Sequence, residues 1–258
     1  MKSSMFHLLV MLAVSLPMTG VRANAADDAP KADEAKSVEL FQAIDEGLVE
    51  VKLTPKNSLK SSLAVTNKTD KPIVVEMPSA FAGVPVLAQP GMMGGRGGMG
   101  GMGGRGGGGL FSIAPNKTHR ESVRTVCLEH GKKEPGPSVE YTIVPIDTYT
   151  ENKTTQVLCS MLGDPELNQN AVQAAVWNAE NGVSFEELAS KTKQEGNNNM
   201  PESYFLKEEL STGVNLLAKA QERAAVLQEV EDAQKALVEE PLEETDMTVE
   251  NLTNEVLK

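Results

Sequence analysis

Hydrophobic and polar residues alternate with a period of two over much of the chain before residue 150, a pattern typical of half-buried β-strands. The first such segment alternates Val49, Val51 and Leu53 with Glu50 and Lys52. The predicted strands cover 49–53, 63–65, 73–77, 110–113, 121–129 and 139–146. Polar turns such as 67–72 separate them, so the pattern predicts an antiparallel, immunoglobulin-like β-sandwich.

From residue 150 onward the apolar spacing changes to three and four residues, which predicts helices. The helical signals are a short segment at 155–162, a helix opened by Asp164 and Pro165 and stopped at Asn181-Gly182, and a helix capped by Ser184. The predicted fold class is therefore α+β. One domain over 37–190 would hold a sandwich-like half followed by a small helical half.

A long amphipathic helix is predicted over 201–240, after a polar linker at 191–200 and before an acidic tail at 241–258. Its apolar positions follow three/four spacing. They are Leu206, Leu210, Gly213, Leu217, Ala220, Ala224, Leu227 and Val230. We expect this helix either to pack on the domain or to pair with a partner helix, including helix-mediated self-association.

The N-terminus has the features of a secretory signal peptide over residues 1–25. Lys2 supplies a positive charge, an apolar run follows at 8–18, and a small-x-small site predicts cleavage after Ala25. Residues 26–36 are small and charged, which predicts a disordered lead-in. The mature protein is expected to be secreted or periplasmic, without a membrane span in the rest of the chain.

The chain is acidic, with a formal net charge of −12 that loss of Lys2 and Arg22 would make more negative. This composition excludes an ordinary nucleic-acid-binding domain, which needs a segregated basic patch. It also predicts repulsion from anionic membrane surfaces. No metal-ligand or cofactor-binding pattern stands out in the sequence, so we predict no cofactor and no metal.

The tract 91–109 contains thirteen Gly, four Met and two Arg. Residues 95–100 satisfy G-x-G-x-x-G, but a nucleotide-binding fingerprint must follow a strand and open a helix. The Arg-Gly-Gly units are similar to RNA-binding segments, and the methionines are soft ligands suited to Cu(I). Because a glycine-rich chain loses much entropy on ordering, we predict instead a disordered loop at 90–109 between two strands.

Two cysteines follow the signal peptide, Cys127 and Cys159. A disulfide between them is the default expectation in an oxidising compartment. His130 lies three residues after Cys127, but a Cys–His hydrolase also needs a third residue that orients the base. We therefore interpret His130, like His119, as a surface histidine and predict no catalytic residues.

The segment 170–177, Asn-Ala-Val-Gln-Ala-Ala-Val-Trp, aligns Gln169, Gln173 and Trp177 on one helix face. It resembles the Thr-Gln-x-Ala motif, followed by an Ile/Val-Trp pair, of bacterial surface thioester domains. In that family the Gln side chain condenses with a Cys on a preceding strand, and the thioester acylates partner amines. The resemblance implies that Cys127 is the thiol and Gln173 the acyl donor.

The same residues support a second interpretation without a reactive bond. Gln173 would hydrogen-bond the sheet backbone, Trp177 would fill the core, and Cys127 would be buried or paired with Cys159. On this basis we predict an exported, non-enzymatic binding or structural module with an unidentified protein or cell-envelope partner. The alternative is a thioester-type surface module that couples to partner amines through Cys127 and Gln173.

Overall fold

The computed structural model describes residues 37–86, 101–105, 109–193 and 201–239. The predicted signal peptide, lead-in and acidic tail lie outside the described residues. The elements are, in chain order, β1 (Ser37–Glu39), α1 (Leu40–Asp45), β2 (Val49–Asn57), β3 (Lys60–Asn67), β4 (Ile73–Glu76), β5 (Phe81–Pro85), β6 (Met102–Arg105), β7 (Leu110–Ile113), β8 (Thr118–Cys127), β9 (Tyr141–Pro145), α2 (Ile146–Tyr149), α3 (Lys153–Met161), α4 (Gln169–Asn181), α5 (Phe185–Ser190), β10 (Thr192–Lys193), β11 (Glu202–Ser203) and α6 (Lys207–Glu239).

Six antiparallel strands close into a barrel in the order β2-β3-β8-β6-β5-β9. The barrel closes where Leu53 of β2 pairs with Tyr141 of β9, and both side chains are fully buried inside it. The mixed α+β class with antiparallel strands and a long C-terminal helix is confirmed, and the strands form a closed barrel where a sandwich-like half was predicted. Because β9 pairs with both β2 and β5, the strands wrap around one interior instead of forming two facing sheets.

A separate three-stranded sheet has the order β1-β4-β7, with β1 parallel to β4 and β7 antiparallel to it. The predicted turn at 67–72 is present, but it connects two different sheets. The strand before it, β3, pairs with β2 and β8 of the barrel, and the strand after it, β4, pairs with β1 and β7. Asn67, which is fully buried, donates from Nδ2 to the carbonyls of Lys71 at 2.7 Å and Ile113 at 3.0 Å. These bonds tie the turn to the end of β7, the strand beside β4.

Part of the glycine tract is a barrel strand. Residues 102–105 form β6, in which Gly104 pairs with Phe81 of β5 and Gly103 with Val126 of β8. The predicted disordered loop is therefore wrong for these residues, because neighbouring strands satisfy their backbone groups. Positions 87–100 and 106–108, including the G-x-G-x-x-G match, lie outside the described residues.

Two glycines of β6 are required by close approach of other elements. A Cβ atom on Gly103 would overlap the Sγ atom of Cys159 on α3. A Cβ atom on Gly104 would lie 2.8 Å from the ring of Phe81. Met102 is fully buried in the barrel interior, where it packs as a core residue. The tract thus supplies a strand whose glycines allow α3 to pack closely against it.

Helix α4 packs on β8 and α3 on β6, and α6 packs on both of these helices. The helix predicted to open at Asp164 begins instead at Gln169, because the side chain of Asn168 caps the backbone N–H of Ala171. Gly182, with φ of 68°, ends α4 as predicted. Ser184 caps α5 through the N–H of Glu187, also as predicted.

Helix α6 is the predicted long C-terminal helix. It buries Leu210, Leu216, Ala220 and Ala224. The helix begins at Lys207, later than predicted, so Leu206 of the predicted apolar stripe lies before it and is exposed. Leu227 and Val230 of the stripe are also exposed, toward the C-terminal end of the helix. Part of the predicted linker forms β10, which pairs with β11. Within the described ranges, no helix has both the length and the apolar character needed to cross a bilayer.

Candidate functional site

Gln173 on α4 clasps the peptide backbone of Cys127 at the end of β8. Its Oε1 atom accepts a hydrogen bond from the Cys127 N–H at 2.7 Å, and its Nε2 atom donates to the Cys127 carbonyl at 2.8 Å. Gln173 is 1 % exposed and Cys127 5 % exposed. We call this pair of hydrogen bonds the Gln173 clasp. It satisfies two backbone groups that β8 would otherwise leave buried without partners.

Helix α4 and strand β8 run side by side with matched spacing. Gln169 donates from Nε2 to the carbonyl of Thr125 at 2.7 Å, and Gln173 reaches Cys127 one turn later. Four helical residues advance about 6.0 Å and two strand residues about 6.6 Å, so each turn meets the next inward-facing strand residue. Trp177, another turn along, contacts the His130 ring, with centroids 4.8 Å apart.

The Cys127 thiol is held in its neutral form. Burial and, to a smaller extent, the Glu134 carboxylate raise its pKa to about 12, against the opposing effect of the Lys191 ammonium. A thiolate is the nucleophilic form of cysteine. At neutral pH this thiol is therefore a poor nucleophile in the geometry of the clasp.

The predicted disulfide between Cys127 and Cys159 is not formed, and both thiols are free and buried. Successive strand residues point to opposite faces of a sheet. Cys159 packs among Val126 and Leu128 on the outer face, whereas Cys127 belongs to a different cluster around Trp177. The two sulfurs therefore lie on opposite sides of β8. Burial raises the pKa of Cys159 to about 12 as well.

The structure brings together the two residues that the thioester resemblance pairs, Cys127 and Gln173. The contacts run from the Gln173 amide to the backbone of Cys127, and Trp177 is buried at 3 % exposure. This is the arrangement of the interpretation without a reactive bond. The reactive bond itself stays a prediction.

The two histidines near the predicted strands occupy different places. His119 stacks on Phe111, with centroids 4.3 Å apart, on the far part of β8. His130 lies beside Trp177, and its backbone N–H donates to Asn181 at 2.8 Å. Burial of the ring and the nearby Lys191 charge lower the pKa of His130. The part of the chain that the structure describes contains no cluster of three acidic, His or Cys ligands for a metal.

An aromatic cluster surrounds Trp177, and sequence reasoning missed most of it. Tyr204 and Phe205 lie 5.5 Å and 5.8 Å from Trp177, measured between ring centroids. The Lys191 Nζ atom lies over both Trp177 and Tyr204, 5.3 Å and 5.2 Å from their centroids. The one available signal was the adjacent aromatic pair 204–205 before the long helix, in a chain with only 4 % aromatics.

No protein-family model, curated protein or solved structure was found to match this chain in comparisons of its sequence and fold.

Proposed function

We propose that this protein is a non-enzymatic binding module that acts after export, in the periplasm or outside the cell. The Gln173 clasp is the observation that carries the proposal. Both polar atoms of the Gln173 amide are used to hold α4 against β8. The neighbouring thiol is protonated at neutral pH, because its pKa is about 12. The clasp thus acts as a rigid support for the aromatic cluster at the same end of the barrel.

Intact-mass analysis of the exported chain tests this proposal. We expect the mass of the unmodified mature sequence and two thiols that become alkylatable only after unfolding. A mass lower by one ammonia would contradict it and support a thioester. A mass lower by two hydrogens that returns on reduction would show the disulfide instead.

The alternative is the thioester-type module, and the side-by-side burial of Cys127 and Gln173 favours it as second candidate. In this chemistry the Cys127 sulfur attacks Cδ of Gln173, a carbon–sulfur bond forms, and Nε2 leaves as ammonia. A partner amine then forms an amide with Gln173 and releases the thiol. Methylamine would take the place of the partner amine: its nitrogen bonds to Cδ of Gln173, its proton passes to the Cys127 sulfur, and the thioester chain gains the whole mass of methylamine. Cys127 is then free to alkylate.

Self-association through α6 remains a prediction of its own. The end of this helix exposes Val226, Leu227, Val230 and Leu237. Val226 and Val230 are one helical turn apart, so they lie on the same face. A second copy would present the same face, which is the requirement of a two-fold interface.

A further inference from the structure

A cavity of about 310 Å³ opens beside the Gln173 clasp. Its lining includes Cys127, Trp177, Lys191, Tyr204 and Glu134. The β10–β11 pair borders it, since Thr192 and Lys193 also contribute. The cavity therefore joins the rigid end of the barrel to the aromatic cluster.

One residue of the cavity lining, Trp177, has an unused hydrogen-bond donor. Trp177 is 3 % exposed, and its Nε1–H makes no hydrogen bond within the described residues. A buried donor without an acceptor is unfavourable relative to a satisfied one. An acceptor atom supplied by a ligand in the cavity would remove this penalty.

A positively charged donor, the Lys191 ammonium, lies over the ring of Trp177. The rings of Trp177 and Tyr204 hold the Lys191 ammonium, which lies 3.4 Å from Nε2 of His130. The His130 pKa is lowered, so at neutral pH its imidazole accepts from the ammonium without adding charge. An ammonium has three N–H donors, so it can serve both His130 and a ligand.

The charges around the cavity favour a ligand with a single negative charge. Three lysines line it in a chain whose net charge is −12: Lys132, Lys191 and Lys193. Its two carboxylates already accept hydrogen bonds from the protein. Glu134 accepts from the Tyr204 hydroxyl at 3.0 Å, and Glu129 accepts from the Gly101 N–H at 2.9 Å. Three lysines and two glutamates give the lining a formal net charge of 3 − 2 = +1, which a single negative charge balances.

We propose that this cavity binds a carboxylate, with one oxygen accepting from Trp177 Nε1–H and the other from the Lys191 ammonium. The site rests on the proposed function as a binding module and names its ligand class. The aromatic rings would contact the apolar part of the ligand. The carboxylate could belong to a free organic acid or to the C-terminus of a peptide, and the test separates these sources.

Trp177 is the only tryptophan of the chain, so its indole reports on this site alone. The ¹⁵N-labelled full chain would be titrated with propionate, with acetyl-Ala-Ala-Ala and with the same peptide as its C-terminal amide. We expect a saturable downfield shift of the single indole N–H resonance with the carboxylates and none with the amide. Stronger binding of the peptide acid than of propionate would indicate a peptide terminus, and the reverse a small acid.

Lys191→Met keeps the apolar stem over the rings and removes the charge, so it should weaken binding at least tenfold. Lys191→Arg should retain part of it, and Lys219→Met, on α6, should leave it unchanged. An unmoved indole resonance, equal shifts with chloride or phosphate, or full binding by Lys191→Met would overturn the site. Intact mass is measured on the same sample. An ammonia loss refutes the proposed function, whereas an unmodified mass without carboxylate binding refutes this inference alone.

Discussion

Replacing Gln173 with Leu removes the clasp while keeping a side chain of similar length. The substitution leaves the N–H and the carbonyl of Cys127 buried without their partners on α4. Each buried unsatisfied group costs about 1–3 kcal/mol. Burial of the apolar Leu returns part of this loss, since an amide is removed from a site that is 1 % exposed. We expect a net destabilisation of about 2–4 kcal/mol, the low-to-middle part of the range for two such groups.

Urea unfolding followed by circular dichroism measures this change. The midpoint should fall at constant m-value, because the surface exposed on unfolding is unchanged. Gln228→Leu is the matched control, since Gln228 is exposed on α6 and bonds Asp232 in solvent. Its effect should stay within about 0.5 kcal/mol. A Gln173→Leu protein as stable as its parent would refute the structural role of the clasp.

Three further predictions concern other parts of the molecule. Gly103→Ala should lower the melting temperature, because the new methyl group overlaps the Cys159 sulfur. Adding Cys159→Ala should partly restore the melting temperature. If calorimetry shows that the two losses simply add in the double variant, this contact is contradicted. Stability should fall as the pH rises from about 9 to about 12, since both buried thiols keep their protons in the folded state while the unfolded thiols ionise. Each pH unit costs about 1.4 kcal/mol per thiol, so urea midpoints should show a shallower decline in a Cys127→Ala, Cys159→Ala protein. If α6 pairs with a second copy, Val230→Glu should reduce the mass measured by sedimentation, because it places a charge on the exposed apolar face. A monomeric mass for both the parent protein and the variant would contradict self-association.

Local features of the fold could be predicted from the sequence because they depend on nearby residues. Strand periodicity, the Gly182 stop and the Ser184 cap all arise from interactions within a few positions. Closure of the barrel could not be predicted, since it depends on Leu53 meeting Tyr141. Strand pairing over such distances leaves no periodic signal in either segment.

The candidate site, like the fold, could be predicted from the sequence only in its local features. Helical spacing placed Gln169, Gln173 and Trp177 on one face, and the structure confirms that all three reach β8 or the residues just after it. The spacing did not indicate whether Gln173 meets the thiol or the backbone of Cys127. Lys191 and Tyr204 join the site through the β10–β11 pairing, which spans residues without strand periodicity.

The glycine tract shows why composition alone misleads in this chain. Glycine-rich segments lose the most backbone entropy on ordering, so the tract predicts disorder when considered by itself. Strands β5 and β8 change the balance, because they offer hydrogen bonds on both sides of β6. The same lack of side chains lets α3 approach until Cys159 touches Gly103, and this contact brings the helical layer close to the barrel. Strand β6, with its two central glycines, therefore contributes to the packing that holds α4 and its Gln173 clasp against β8.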